Sequence, residues 1–439
     1  MGSFVQLSGR SAHLDNVKAL LMFAVIWYHS LLVWYSKELP VGVSGLESLF
    51  LLAIMPGFAM VSGFLASPHL TRKRQDTLVT TFFVFVIFQL INWLMDIMNK
   101  FLVELIRHNQ SVVAHSNTSL VEYPVPLFFP TVMDKIPDTP GGLPVTWFLL
   151  CLLFWRALTP LLDRLKQPII TSLVIGMLSL TVDLGFGSQN IVSFLPYYVV
   201  GYIMNHREHG TKWWDWLVRR KSKALSCGLF CFAFAFILPS ALFPVWWKST
   251  VGFVVGHAYG CLYGLVAPTA PLCTSAVSFG TRAVFYVLSF PAIFSIVRFV
   301  PSQKLRLCTK AGVNSVSIYL WHPVFLFNIG TIIVMGKLLN ALTATKAPPY
   351  NGTPAFLAIS GMALFFFCVL SANFWRVCCG LCLSPPVVKC LFVPPGDSRR
   401  SSGSWKKDTV RFSPDALERP GGYTVLNDAD DDELRKVQR

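Results

Sequence analysis

Residues 17–36 read VKALLMFAVIWYHSLLVWYS, an almost unbroken apolar run that carries one lysine and one histidine. A helix needs about 20 predominantly apolar residues to cross the hydrocarbon core of a bilayer. The run is too long for the apolar region of a signal peptide and lacks a small-residue cleavage site, and residues 1–13 before it are polar. We therefore expect this run to remain in the protein as its first transmembrane helix.

Runs of this kind recur up to residue 372, and they determine the predicted fold. Hydrophobic residues make up 54% of the 439 residues and charged residues only 13%, about half the share usual in soluble proteins. Further apolar segments lie near 48–66, 78–99, 146–162, 168–185, 190–205, 225–244, 250–268, 283–300, 313–336 and 354–372. The sequence predicts an all-α integral membrane protein, in which residues 1–372 form a bundle of about ten transmembrane helices, or eleven if residues 250–268 also cross.

The segment 250–268 is ambiguous because it contains glycines at every fourth position, namely Gly252, Gly256, Gly260 and Gly264. Glycines with this spacing share one helix face and allow close packing. The segment is therefore either a tightly packed span or a buried re-entrant element.

The charged residues predict the orientation of the chain. The formal charge of +15 comes from short loops rather than from a basic patch with interleaved aromatics, which argues against nucleic-acid binding. Basic loops mark the cytosolic side of membrane proteins. The loops assigned here carry Arg72–Arg74, then Arg156 with Arg164 and Lys166, then Arg207 and the basic residues after it, and their alternation predicts a cytosolic N-terminus. The nearly neutral loop 100–145 then lies on the other side, where its sequons at Asn109 and Asn117 indicate a eukaryotic secretory-pathway or plasma membrane. The loop with Lys304, Arg306 and Lys310 reaches the cytosolic side only with ten spans.

Residues 373–439 differ in composition from the rest of the chain. They are polar and rich in proline and serine, and a basic stretch precedes an acidic one. Such a segment cannot bury a core and is predicted to be a disordered tail. None of the 11 cysteines is spaced with a histidine as in a metal site, so no metal ligand is predicted.

Ionisable residues inside apolar helices are costly and indicate function. Lys18 and His29 are eleven residues apart, close to three helical turns, so they share one helix face at a separation of about 16 Å. Asp15 extends the same stripe. A histidine at this depth is suited to act as a general base, whereas the alternative is that it only packs against a neighbouring helix.

The second segment adds a further group of candidates. Pro56-Gly57 predicts a break or kink at membrane depth, and Ser62-Gly63 offers a hydroxyl and close backbone approach. Arg72, Lys73 and Arg74 then follow at the predicted cytosolic face. Such a triplet either binds an anionic ligand or only anchors the loop.

Several motifs occur together in an order that we associate with one family. They are Leu14-Asp15-x-x-Lys18 with His29 eleven residues later, Ser62-Gly63-Phe64-Leu65, Trp147-Phe148-Leu149, Leu195-Pro196-Tyr197-Tyr198-x-x-Gly201-Tyr202 and Gly312-x-x-Ser315-x-x-Ile318-Tyr319-Leu320-Trp321-His322. Over roughly residues 10–330 the chain resembles the acyltransferase-3 family of membrane O-acyltransferases. The resemblance implies about ten helices and transfer of an acyl group, commonly acetyl from acetyl-CoA, to a hydroxyl, usually of a carbohydrate, with the product across the membrane. Acyl-CoA is then a substrate, and no permanently bound cofactor is expected.

The candidate site residues divide into three groups. His29 is expected to act as general base or as a transient acyl carrier. The candidates for acyl-CoA binding are Lys18, Arg72, Arg74, Ser62 and Gly63, and the candidates for lining the cavity are Asp15, Trp147 and His322. Many members of the family have arginine where this chain has Lys18, and lysine keeps the charge but lacks the bidentate geometry of arginine.

Two other classes of protein also fit parts of the sequence. A multi-pass transporter or channel would have buried charges and broken helices as well, but no internal repeat is visible here. A second superfamily of membrane-bound O-acyltransferases also relies on an intramembrane histidine, and the order of the motifs favours acyltransferase-3.

Overall fold

A computed structural model describes residues 11–34, 43–69, 71–114, 147–180, 188–219, 222–252, 254–255, 258, 276–326, 338–339 and 352–372. Within these ranges the chain is helical with short connections and contains no strand, which confirms the all-α prediction for this part. The predicted tail 373–439 and most of the loop 100–145 lie outside the described residues.

The helices are numbered in chain order. They are α1 (Ala12–Trp34), α2 (Val43–Phe64), α3 (Arg72–Ala114), α4 (Trp147–Arg164), α5 (Pro168–Leu178), α6 (Ser188–Ser193), α7 (Leu195–His206), α8 (Glu208–Trp214), α9 (Lys223–Leu242), α10 (Pro244–Trp247), α11 (Ala276–Phe299), α12 (Arg306–Val313), α13 (Ser315–Leu326) and α14 (Gly352–Leu370). Two π-helical turns, Asp215–Arg219 and Lys248–Gly252, follow α8 and α10.

Five helices are long and apolar enough to cross a membrane, which makes the chain a multi-pass membrane protein. They are Val43–Phe64, Arg74–Met95, Lys223–Leu242, Val277–Phe299 and Thr353–Leu370. The helices α5 and α13 are apolar but shorter. The total of ten or eleven crossings and the status of residues 250–268 stay predictions, because residues 259–275 are among those not described.

Helix α1 lies at the centre of the bundle although it is not one of the five apolar helices. It is 23 residues long and packs against α2, α12, α13 and α14. Asp15, Asn16, Lys18 and His29 make it more polar than a lipid-facing helix. Protein rather than lipid surrounds these side chains, as expected of ionisable groups at membrane depth.

Helices α2 and α7 approach each other at backbone contact. A Cβ atom on Gly63 would collide with the carbonyl oxygen of Tyr198, and one on Gly201 would collide with that of Met60. The two glycines thus let the two backbones touch, as small residues do between transmembrane helices. Helix α2 continues through Pro56 without a break, and Gly57 beside it packs against Leu21. The alternative of a kink at Pro56 stays a prediction.

The predicted segment 190–205 is divided into two helices. Helix α6 ends at Ser193, and α7 begins at Leu195 with Pro196 in its first turn. Proline fits the first turn of a helix, because the N–H that it lacks has no partner there. The interruption lies against α4, where Trp155 Nε1 donates to the carbonyl oxygen of Ile191 at 2.7 Å.

One end of the described bundle carries several basic residues, and we call it the basic end. It contains the start of α1, the end of α2, the start of α3, the ends of α4 and α7 and the connection 300–305. Asn16 Nδ2 donates to the carbonyl oxygens of Pro301 and Gln303, both at 2.8 Å, and Asn205 Nδ2 donates to that of Phe64 at 2.8 Å. The ring of Trp214 joins these contacts, since it lies 6.1 Å from the ring of His13 and 4.4 Å from that of Phe64.

Candidate active site

His29 and His322 come from opposite halves of the sequence and meet inside the bundle. His29 lies on α1 and His322 on α13, and His322 Nε2 is 3.3 Å from His29 Nδ1. The ring centroids are 5.2 Å apart and the ring planes are inclined by 34°. The separation is at the long end of the range for hydrogen bonds. The predicted catalytic residue and a predicted cavity residue therefore belong to one site.

The hydrogen bonds of this pair assign the ring protons. His322 Nδ1 lies 2.7 Å from the carbonyl oxygen of Tyr319, and because a carbonyl oxygen only accepts, Nδ1 carries a hydrogen. Nε2 of a neutral His322 is then an acceptor, so His29 Nδ1 donates to it. A neutral His29 has its lone pair on Nε2. The backbone of α13 thus determines which nitrogen of His29 can act as a base.

The two histidines differ in burial. His322 is fully buried, at 0% exposure, whereas His29 is half-buried. The His322 ring also packs at 5.7 Å from the ring of Tyr319. His322 is therefore suited to orient its neighbour, and His29 is the imidazole that a substrate can reach.

Lys18 and Asp15 form an ion pair at the basic end of the same helix. Lys18 Nζ is 2.6 Å from Asp15 Oδ1, and both side chains are largely enclosed. The backbone of Asp15 touches Gly312 on α12 so closely that a Cβ there would collide with the Asp15 carbonyl oxygen. The predicted stripe of Asp15, Lys18 and His29 is therefore present, but the lysine charge is already paired with a carboxylate.

Two arginines lie within electrostatic range of each other and of a buried tyrosine at the basic end. Arg74 is exposed at the start of α3, and Arg156 is half-buried on α4. Each guanidinium interacts electrostatically with the other and with the hydroxyl of Tyr198. Thr159 Oγ1 lies 2.7 Å from that hydroxyl and holds it in place. Two like charges that flank a fixed hydroxyl form a surface suited to an anion.

Sequence reasoning missed the position of Arg156. It attributed this residue to a basic loop with Arg164 and Lys166, whereas the residue lies inside helix Trp147–Arg164. The available signal was a charge within an apolar run, the same signal that singled out Lys18. The side chain of Arg72, also predicted to bind acyl-CoA, lies outside the described part of the structure.

The remaining groups at the basic end are engaged with one another. Tyr202 Oη donates to Asp163 Oδ1 at 2.6 Å, and Arg207 Nη2 donates to the carbonyl oxygen of Asp163 at 2.7 Å. His206 Nε2 lies 2.6 Å from the carbonyl oxygen of Ala66. Burial lowers the pKa of His206, and the Arg74 charge acts in the same direction against that hydrogen bond. These contacts fix α7 to the ends of α2 and α4.

Three other predicted residues lie around this framework. Gly63 has a packing reason to be glycine, since it touches the backbone of α7, and Ser62 beside it is half-buried. Trp147 packs against Phe194 at 5.6 Å and against Phe148 at 5.9 Å. Phe148 in turn lies 5.8 Å from the ring of Tyr319. Trp147 therefore belongs to a cluster of aromatic rings that extends through Phe148 to Tyr319, the residue whose carbonyl oxygen is bonded to His322.

The described residues contain no group of three or more histidine, cysteine or acidic side chains that could hold a metal ion. These side chains offer an imidazole in contact with a second imidazole, and a separate pair of arginines near the Tyr198 hydroxyl. This combination suits proton transfer next to an anionic substrate.

Comparison with known proteins gives one match. The family model of the acyltransferase-3 family, described as an acyltransferase domain, matches residues 11–373. No curated protein and no solved structure matches the chain. The matched range contains every candidate residue named above and decides for the enzyme over a transporter or channel. The chain belongs to the acyltransferase-3 family and is a membrane acyltransferase.

Proposed function

We propose that this acyltransferase moves an acetyl group from acetyl-CoA at the basic end of the bundle to a hydroxyl of a carbohydrate near the opposite end. The observation that carries the proposal is the His322–His29 pair, which gives His29 a defined lone pair on Nε2. The basic end faces the cytosol in this proposal, with the N-terminus, and the membrane belongs to the eukaryotic secretory pathway or the cell surface.

The donor binds through its phosphates at the basic end. Arg74 and Arg156 flank the Tyr198 hydroxyl, and guanidinium groups bind phosphate through pairs of charge-assisted hydrogen bonds. Arg72 precedes Arg74 by two residues and adds to the positive charge. The pantetheine arm then extends along α1, past Ser62 and Gly63, and brings the thioester to His29. Lys18 contributes a weaker field because Asp15 neutralises most of its charge.

The transfer step requires one base and one proton donor, and His29 serves as both. Nε2 of His29 takes the proton of the acceptor hydroxyl while the oxygen attacks the carbonyl carbon of the thioester. The carbon–sulfur bond breaks, and the departing thiolate takes the proton from the imidazolium. The products are the acetyl ester and the free thiol of CoA. A positioned base of this kind typically accelerates such a step by about 10²–10⁴-fold.

A covalent route uses the same nitrogen. If the donor and acceptor cannot reach His29 together, Nε2 attacks the thioester carbonyl, the carbon–sulfur bond breaks and CoA leaves as a thiolate. The acceptor hydroxyl then attacks the acyl-imidazole, the carbon–nitrogen bond breaks, and the hydroxyl proton passes through the released Nε2 to the thiolate. Both routes need the lone pair on Nε2, so the orientation by His322 serves either. Protein labelled from [¹⁴C]acetyl-CoA and denatured rapidly at neutral pH distinguishes them, because only the covalent route leaves label on His29 and acyl-imidazoles hydrolyse quickly in acid.

The test compares cell-surface glycans from cells that express the chain with those from cells that do not. We expect mass spectrometry to detect an added acetyl mass only with the parent chain. His29→Ala should abolish it, while His209→Ala, which changes an exposed histidine on α8, should leave it intact. Equal acetylation with parent and His29→Ala chains at equal abundance would overturn the mechanism. An absence of any added acyl mass with the parent would overturn the carbohydrate acceptor.

A further inference from the structure

Glu47 is the only acidic residue on α2, and it lies near the end opposite the basic end. The helix dipole favours a negative charge in the first turn of a helix. Glu47 lies beyond that turn, four residues after the start of α2 at Val43. A carboxylate within an otherwise apolar membrane helix is costly and calls for a specific role. The position of Glu47 on the helix therefore does not explain its presence.

Glu47 lies close to the residue that precedes the catalytic histidine. The Glu47 carboxylate interacts electrostatically with the hydroxyl of Tyr28. The rings of Tyr28 and His29 have centroids 6.0 Å apart. One helical turn further along α2, Phe50 packs at 5.5 Å against Trp27, which holds the two helices together at this level. Glu47 and Tyr28 thus lie near the level of His29 along the packed helices α1 and α2.

Within the part of the chain that the structure describes, neither group has a hydrogen-bond or ion-pair partner. Both side chains are half-buried rather than fully solvated. Their polar neighbours are satisfied locally, since Ser30 Oγ donates to Ile26 O at 2.8 Å and Ser48 Oγ to Ser44 O at 2.9 Å. Polar groups that converge beside a reactive side chain and retain bonding capacity are what a binding site presents to its ligand.

We infer that Glu47 and Tyr28 bind the acceptor, on the side of His29 away from the basic end. An ionised carboxylate only accepts hydrogen bonds and can take two neighbouring hydroxyls at once, and the tyrosine hydroxyl can donate or accept. The ligand that fits is a polyhydroxylated compound, one of whose hydroxyls reaches His29 Nε2 while others bind Glu47. This assignment rests on the proposed function and specifies its acceptor site.

The test uses the full chain in lipid nanodiscs and in cells, with Glu47→Gln, Tyr28→Phe and the control Ser48→Ala. Glutamine keeps the size of the side chain but loses the charge that strengthens the hydrogen bonds. We expect Glu47→Gln to lower the yield of acetylated glycan by about 10- to 100-fold, as for a lost charge-assisted hydrogen bond. Tyr28→Phe should lower it by a smaller factor, and Ser48→Ala should not change it.

Binding of acetyl-CoA alone and the thermal midpoint of the purified protein separate this role from other causes. Both should stay at the parental value in Glu47→Gln and Tyr28→Phe, because the donor and the fold do not use these groups. Parental glycan acetylation in both variants would overturn the assignment, and so would a loss of acetylation matched by weaker acetyl-CoA binding. If Glu47→Gln fails to fold, glycan acetylation and acetyl-CoA binding measured with Tyr28→Phe test the assignment on their own. A parent that neither binds acetyl-CoA nor acetylates glycans would refute the proposed function itself.

Discussion

His322 Nε2 lies 3.3 Å from His29 Nδ1, although 293 positions separate the two residues in the chain. The anchoring carbonyl group of Tyr319 is one turn before His322 on the same helix, at 2.7 Å from its Nδ1. A backbone carbonyl, a buried histidine and a half-buried histidine therefore form a chain of hydrogen bonds that reaches His29 Nδ1. If His29 is the catalytic base, His322 has the place that the aspartate has beside the histidine of a hydrolase triad.

The first prediction concerns His322 as a positioning residue. His322→Ala should lower kcat by on the order of 100-fold while the KM for acetyl-CoA stays unchanged, because His29 loses control of its tautomer. His322→Gln should recover part of the activity, since the side-chain carbonyl oxygen of glutamine can accept from His29 Nδ1. The measurement is the rate of CoA release by purified protein over a range of acetyl-CoA concentrations.

Thermal midpoints of the same preparations provide the control. A purely structural role for His322 predicts a loss of stability that accompanies the loss of rate, with no recovery by glutamine. Equal rates for His322→Ala and the parent would instead show that His29 needs no orienting partner.

The second prediction concerns the arginine pair at the basic end. Arg74→Gln and Arg156→Gln should each raise the KM for acetyl-CoA by about 10- to 100-fold, as expected for the loss of a charged hydrogen bond to phosphate. The matched control is Arg164→Gln, which removes an exposed arginine from the same helix as Arg156. Donor titrations with purified enzyme give the values. An unchanged KM in Arg156→Gln would leave this residue with a structural role only.

The third prediction separates a structural role of Lys18, its ion pair with Asp15, from a role in binding acetyl-CoA. Lys18→Met removes the ammonium group that lies 2.6 Å from the Asp15 carboxylate, a group that is 3% exposed. Breaking an enclosed ion pair costs about 3 kcal/mol, so the thermal midpoint should fall and Lys18→Arg should restore it. In the double variant with Asp15→Asn, stability should return while the KM for acetyl-CoA stays raised. A normal donor KM in that double variant would restrict Lys18 to a structural role.

The sequence predicted the helical membrane fold and the motif residues because both depend on local patterns. Apolar runs indicate helices, and a charge inside such a run indicates an interior site, which is how Lys18 and His29 were identified. It did not predict that Asp15 pairs with Lys18 at 2.6 Å or that His322 Nε2 lies 3.3 Å from His29 Nδ1. These relationships depend on how α1, α12 and α13 pack. The helical periodicity of the sequence relates residues within one helix and does not show which residues of different helices meet.

Arg156 illustrates a different kind of error. It was grouped with the loop residues Arg164 and Lys166, although it lies within the predicted apolar segment 146–162 and inside helix Trp147–Arg164. A charge inside an apolar run indicates an interior site. This criterion identified Lys18 but was not applied to Arg156.

The fourth prediction concerns the contact between α2 and α7. Gly63→Ala and Gly201→Ala each place a methyl group against a backbone carbonyl oxygen of the other helix, and overpacking typically costs about 1–3 kcal/mol. Both variants should lower the thermal midpoint and the yield of monodisperse protein. Gly228→Ala is the control, because nothing lies within 4 Å of its added Cβ on α9, and alanine favours a helix over glycine. A stable Gly63→Ala chain would contradict the close approach of the two helices.

The fifth prediction is topological and follows from the basic end. Asn16 is hydrogen-bonded to the backbone of residues 301 and 303, so the connection with Lys304 lies on the same side of the membrane as the start of α1. This agrees with ten spans, since eleven would place Lys304 on the side opposite the N-terminus.

Single cysteines at Ser67 and Lys304 should react with an impermeant maleimide only after the plasma membrane is permeabilised. A cysteine at Ser119, in the predicted outer loop, should react in intact cells or in vesicles opened to the lumen. Labelling of Ser67 and Lys304 from opposite sides would be incompatible with the contacts of Asn16. Labelling of both from the outside would reverse the predicted orientation and place the donor phosphates on the wrong side for cytosolic acetyl-CoA.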